Sequence, residues 1–251
     1  MVTRLGALAN QEAAHEIERL LAIPTLCKLK HALGNARHQL KLKQREDAFR
    51  YPSLKSVAGV LANQEPANVA DLAALTLDFL DHIAYEIQHD NDDGFRGFWN
   101  VESRKPTGKR EENLCRDSLL TRLRQRFTSA PFGVDCQPEG DYANDKRADI
   151  RLSYRNDFEL PIEIKRDDNR ELWGAARTQL IAQYASSPRA AGYGIYLVLW
   201  FGQGGLPASR DGGEKPVSPA ELRNRLEALL DPEDRQRIFV RVLDVSWPGG
   251  M

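Results

Sequence analysis

The chain has 251 residues, 41% of them apolar and 28% charged, with a formal net charge of −1. These values suit a soluble globular protein able to bury one large core or two small ones; they argue against a disordered chain and a globally basic nucleic-acid binder. The longest strongly apolar run, residues 195–201, is far too short to cross a bilayer, and residues 1–20 lack the apolar stretch of a signal peptide, so a cytoplasmic protein is expected.

The three cysteines (Cys27, Cys115, Cys136) are odd in number and far apart, which indicates neither a disulfide framework nor a zinc knuckle. All five histidines fall in the N-terminal half and form no metal-binding pattern. Charge is uneven: roughly −3 up to residue 103 and roughly +2 after it. That asymmetry weakly favours a phosphate-facing surface in the second half.

In chain order, residues 11–23 carry apolar side chains at helical spacing and stop at Pro24. Residues 26–50 form a long basic amphipathic stretch, and residues 53–63 a short helix between Pro52 and Pro66. Residues 68–89 are the strongest helix, with Leu72, Leu75, Phe79, Leu80, Ile83 and Ile87 on one face. Residues 89–110 read as a connecting arm. The chain is therefore divided into an all-α N-terminal region with its arm, 1–104, and a second domain, 105–251.

That second domain alternates. A helix at 111–127 is followed by a short strand at 133–137 and by strands 148–154 and 158–165, joined through Arg155-Asn156-Asp157 as a hairpin. A helix is expected at 169–186, a buried strand at 194–201 and a Gly/Pro-rich loop at 202–217. A helix opened by the capping box Ser218-Pro219-Ala220-Glu221 and a last strand at 238–245 complete the order. The fold class is α/β (α+β), with a mixed sheet carrying helices on its faces.

Alternation places Glu163 and Lys165 on one face of their strand, and a hairpin turning about Asn156 sets Asp149 opposite Glu163. Two carboxylates facing each other on neighbouring strands repel. A divalent cation would resolve the conflict, since hard oxygen ligands suit Mg²⁺; an ordinary ion-pair cluster with Lys165 at a solvated sheet edge is the competing reading.

The segment DKRADIRLSYRNDFELPIEIKRD, with its acid, hairpin spacing and E-x-K, resembles the signature of the PD-(D/E)XK, restriction-endonuclease-like nucleases. The αβββαβ order resembles their core, over roughly residues 110–245. Ala148 stands where the family name implies proline. The resemblance implies a Mg²⁺- or Mn²⁺-dependent nuclease acting on DNA, less so on RNA. Asp149, Glu163 and the carbonyl of Ile164 would hold the metal, and Lys165 would orient or activate the attacking water and stabilise charge on the phosphate.

Many members carry a further acid on the first helix. Glu112, one heptad before Leu119, is the candidate, with an i,i+4 pair to Arg116 as the alternative; Glu111 lies off that face. Some related nucleases carry Q-x-x-x-Y on the second helix. Here Gln179 and Gln183 fall on the stripe of Leu172, Ala175 and Ala176, and Gln183 is the candidate site residue, with Tyr184 one place out of register. Trp173 and Tyr184 read as packing residues. Lys146, Arg147 and Arg166 flank the acids as phosphate contacts, with Arg210 and Lys215 on the following loop and the basic stretch 28–43 as further candidates. The helical region would serve substrate choice, regulation or a homodimer, and a defence or toxin effector is a fold-level analogy. The rival reading is a nuclease fold without activity, used for binding or scaffolding.

Overall fold

The computed structural model describes residues 11–48, 53–54, 57–58, 65–89, 93–129, 133–142, 146–209 and 213–248. Most of the expected helix at 53–63 lies outside the described residues. The chain divides into two compact units, Met1–Ser53 and Leu54–Met251.

In the first unit, α1 (Gln11–Leu21) and α2 (Lys30–Ala48) are separated by a 3₁₀ segment, Pro24–Leu29. They share a small core of Ala13, Ile17, Ala36 and Leu40. The 3₁₀ segment shortens the long helix expected from residue 26.

The second unit is built on a five-stranded sheet in the order β3-β4-β5-β6-β7. Its strands are β3 (Val134–Tyr142), β4 (Lys146–Tyr154), β5 (Phe158–Arg166), β6 (Gly194–Trp200) and β7 (Ile238–Asp244). The β3-β4 and β4-β5 pairs are antiparallel and β5-β6-β7 run parallel. With α3 (Val69–His89), α4 (Glu112–Thr128) and α5 (Pro219–Ala228) around this mixed sheet, the class is α+β.

One sheet face, with Ile150, Leu152, Leu160, Ile162, Ile164, Ile195, Leu197 and Leu199, joins a core supplied by α3 and α4. The other, with Tyr196, Val198, Trp200 and Val240, packs against α5 and the segment 172–185. Covering both faces explains why β6 is a continuous apolar run.

Helix ends follow the sequence. Ser218 accepts a hydrogen bond from the Glu221 N–H at 3.2 Å while the Glu221 carboxylate accepts from the Val217 N–H at 2.9 Å, the reciprocal capping box. Asn68 caps α3 by accepting from the Asp71 N–H at 3.0 Å. Among the described residues, no helix is long and apolar enough to cross a membrane.

Three expectations need correction. The compact units divide at Ser53/Leu54, not near residue 105, because α3 buries Leu72, Leu80, Ile83 and Ile87 in the sheet's own core. The arm contains a hairpin, β1 (Trp99–Glu102) with β2 (Lys105–Lys109). Its turn residues Ser103 and Arg104 both have positive φ, +49° and +67°, where glycine or asparagine is usual. Finally, the helix expected at 169–186 is a series of turns followed by a π-helix, Ala176–Ala185.

The hairpin base is anchored by Trp99, which is fully buried. Its indole N–H donates to the Val245 carbonyl at 2.7 Å and its ring packs edge-on to Phe201 and Trp247. Trp99→Phe leaves that carbonyl without its donor and opens a small void. It is expected to lower the unfolding free energy by about 1–3 kcal/mol in urea denaturation; an unchanged midpoint would mean that this bond does not secure the base.

Candidate active site

Strand β5 runs between two neighbours with helices over both faces, so every residue from Glu159 to Lys165 is buried. Charged residues on such a strand need partners. Glu163 and Lys165 are 3% and 7% exposed, and the Lys165 ammonium donates to Glu163 Oε1 at 2.7 Å. They lie on the face opposite Ile162 and Ile164, with Tyr196 beside Glu163 on β6.

Asp149 joins them through a break in the ladder. The β4-β5 register pairs Ile150 with Ile162 and ends there, while β4 stays paired with β3 through Ala148↔Gly140 as far as Lys146. Where β5 loses its backbone partner, Asp149 Oδ2 accepts the Ile164 N–H at 2.7 Å. In an antiparallel ladder the N–H and C=O of one residue lie on the same strand edge, so the Ile164 carbonyl faces the same gap. Asp149 lies close enough to Glu163 and Lys165 for their charges to act on one another.

Glu112, the first residue of α4, brings a third carboxylate. Its Oε1 accepts from Lys165 Nζ at 3.4 Å, and its Oε2 accepts from the Arg166 N–H at 3.1 Å and from Asn169 Nδ2 at 3.2 Å. Glu111 is exposed at the N-cap position. Both Glu112 oxygens thus hold the end of β5 and the lysine. Among the described residues, no group of three or more His, Cys, Asp or Glu side chains is arranged to hold a metal ion. Glu112 stands beside Lys165 in the same cluster as Glu163, tied to the lysine and to the end of β5. Asp149, Glu163 and the Ile164 carbonyl remain a hard-oxygen set. It suits Mg²⁺, which commonly takes one or two carboxylates and keeps several waters.

The electrostatics match the burial. Glu163 is pushed up to about 7, first by burial and then by the Asp149 charge, with Lys165 pulling the other way. Burial also raises Asp149, against the pull of Lys165 and the Ile164 N–H. Burial opposes the Lys165 charge, but Glu163, Glu112 and Asp149 together hold the ammonium protonated, above its ordinary range. The two acids resist ionising because they are buried and face each other, a cost that an opposite charge held between them would offset.

Next along β5 lies a second charged cluster that sequence reasoning missed. Asp167 is fully buried and accepts from the Phe201 N–H and from Lys109 Nζ, both at 2.7 Å. Asp168 takes a two-pronged bond from Arg166, at 3.0 Å to each oxygen, and meets Lys109 at 3.2 Å. Arg166 Nη1 donates to the Arg110 carbonyl at 2.8 Å. The polar run Arg166-Asp167-Asp168-Asn169, directly after a buried strand, was the available signal.

The π-helix changes the expected roles of its residues. Gln183 is half-exposed and its Nε2 donates to the Thr178 carbonyl at 2.8 Å; Gln179 donates to Glu171. The Gln183 amide nitrogen is thus turned to its own segment's backbone. This segment buries Ala176, Leu180 and Tyr184, stepping by four, and leaves Gln179 and Gln183 half-exposed. Tyr184 is buried, and its phenol is pushed up to about 12 by burial, then by Glu163 and Asp149, so it lies within the field of the site. Trp173 is buried and donates to the Pro207 carbonyl at 3.4 Å, a packing role.

Of the expected phosphate contacts, Arg166 is committed to Asp168 and the Arg110 carbonyl, and Arg147 donates to Glu139 at 3.1 Å. Lys215 is exposed. The Lys146 and Lys28 side chains and Arg210 lie outside the described residues. Cys115 and Cys136 are buried, and burial raises both thiols to about 12, which leaves them unreactive.

The chain belongs to a family described as a domain of unknown function, DUF8371, which matches it over residues 72–203. That span includes most of α3, the β1-β2 hairpin, α4 and β3 to β6, and so every side chain of the site. No curated protein and no solved structure matches the chain.

Glu163 gives the site a pH signature. In the metal-free fold it keeps its proton up to about pH 7, against an ordinary value of 4.5. Between those values the folded state binds more protons than the unfolded chain, so this contribution to stability is complete below the ordinary value and lost as pH rises through 7. Glu163→Gln removes the carboxyl. In EDTA it is expected to gain thermal stability relative to the parent across that window; parallel curves would place the Glu163 ionisation at its ordinary value.

Proposed function

We propose that this protein is a metal-dependent nuclease of the PD-(D/E)XK type, hydrolysing phosphodiester bonds in DNA with Mg²⁺ or Mn²⁺. The observation that carries the reading is the gap between β4 and β5. There Asp149 and Glu163, both resisting ionisation, come together with a protonated Lys165. The element order around that gap supports the same reading.

Asp149, Glu163 and the Ile164 carbonyl would hold the divalent ion. A cation bound there polarises a phosphate and lowers the pKa of a coordinated water. Lys165 stays protonated, so it acts as a fixed positive charge rather than a base. It orients the attacking water and stabilises the charge that grows on the phosphate oxygens. Glu112, itself tied to the Arg166 N–H and Asn169, keeps the ammonium in place. Burial of the lysine strengthens each of these interactions, because the surrounding dielectric is low.

The test uses linear and circular DNA, and RNA, with Mg²⁺, Mn²⁺ or EDTA. Cleavage is expected on DNA with either metal and none in EDTA. Lys165→Ala is expected to cut at least ~100-fold more slowly while retaining the Mn²⁺-induced thermal shift. Asp149→Ala is expected to lose the shift and the cleavage together. Full cleavage by Lys165→Ala would reduce the cluster to a structural ion pair; a metal-dependent thermal shift without cleavage of any substrate would favour a binding or scaffold role.

A further inference from the structure

We infer that the β1-β2 hairpin is a ribbon that enters a groove of duplex DNA, with Arg104 and Lys105 at its tip on the phosphates. The inference names the substrate form for the proposed nuclease site and rests on that reading.

The hairpin base is rooted at the site. Trp99 and Lys109 are partners across it; Trp99 is bonded to the Val245 carbonyl, and Lys109 reaches Asp167 and Asp168, which follow Lys165 by two and three residues. Arg110, next after β2, offers its carbonyl to Arg166 and precedes the helix that carries Glu112. The base is therefore held rigidly with respect to the acids.

Beyond the base the ribbon has little to stabilise it. Residues 100–105 and Thr107 are exposed, and Val101, its largest apolar side chain beyond Trp99, is 37% exposed. A two-stranded hairpin is at best marginal alone. Its tip is also strained. Ser103 and Arg104 hold left-handed backbone angles that glycine adopts without cost, and an arginine kept there puts a cation at the extremity at some expense of stability. Arg104 and Lys105 have no ion-pair partner among the described residues. Glu102 stands across from Lys105 in the ladder, so the tip keeps a net positive charge of one, and such a cationic tip on a strained, anchored projection fits a polyanion.

The shape selects the duplex. Strands of this length reach about 15 Å, and the major groove, about 12 Å wide, admits a two-stranded ribbon. Pairing with another protein's strand is disfavoured, because Pro106 lacks an N–H and the register shifts between Asn100 and Val101, both of which blunt the edge.

The experiment measures binding of a short blunt DNA duplex and of the corresponding single strand by fluorescence anisotropy, in Ca²⁺ and over a salt series, for the full chain. The paired variant R104E/K105E is expected to weaken duplex binding by at least ~10-fold and to lower the salt slope by about 2. Its effect on the single strand is expected to be smaller. Arg104→Gly supplies the control for folding: it relieves the turn, so its thermal stability should equal or exceed the parent's while duplex affinity still falls. Parental affinity and slope in both variants, equal losses on both strand forms, or a parent that binds no duplex, would each overturn the inference. Duplex binding lost with the tip cations in a protein that never cleaves would sink the nuclease reading and keep the ribbon.

Discussion

Between Ile150 and Ala148, β4 stops pairing with β5 and continues with β3 alone, and the Ile164 N–H takes a carboxylate oxygen in place of a carbonyl. The rest of the site depends on this break. A continuous ladder would have satisfied Ile164 with backbone and turned its carbonyl inward to a partner strand. With the ladder open, one edge of a central strand presents a carbonyl and a carboxylate to the same gap, while the strand's side-chain alternation delivers Glu163 and Lys165 beside them. A buried polar backbone group has to be bonded somewhere, and here the bonding residue is itself an acid of the proposed site.

Burial then sets the charges. Packing on both faces makes ionisation of Asp149 and Glu163 costly; it opposes the Lys165 charge as well, but the three carboxylates around the ammonium outweigh that and keep it protonated. The lysine is the fixed cation of the cluster. Glu112 contributes from the start of α4, where it also holds the Arg166 N–H, so the position of the ammonium is tied to the helix as well as to the sheet. The Lys109–Asp167–Asp168–Arg166 network continues this pattern of compensated charge to the hairpin base, linking the two features by hydrogen bonds rather than by apolar packing alone.

Much of this was legible in the sequence. Strand alternation and the Arg155-Asn156-Asp157 turn give the register that puts Asp149 across from Glu163, and heptad spacing from Leu119 turns Glu112, not Glu111, toward the core. Two features were not legible. The π-helix was not signalled by spacing: the apolar stripe was compatible with 179 and 183 or with 180 and 184, and the segment buries Leu180 and Tyr184. The β1-β2 hairpin carries Lys-Pro-Thr-Gly-Lys on one strand and Ser-Arg in its turn, which lack β-propensity and turn chemistry alike. It exists because Trp99 and Lys109 are fixed from below, a tertiary cause that local reading does not contain.

The unit boundary follows from the same reasoning. A long amphipathic helix N-terminal to a sheet can form its own bundle or cover that sheet, and its sequence is equally apolar on one face in both cases. For α3 the deciding fact lies in the strands: Ile162, Ile164, Leu197 and Leu199 form an apolar face broader than α4 alone covers, and α3 completes the cover. The family match begins within α3 at residue 72 and ends at residue 203, just past β6. It therefore takes in the covering helix, the anchored hairpin and the broken ladder together, and leaves out α1 and α2, which have a separate small core of their own. The functional reading attaches to that contiguous module: the helix is needed to bury the strand, and the buried strand is what makes two carboxylates and a lysine chemically unusual.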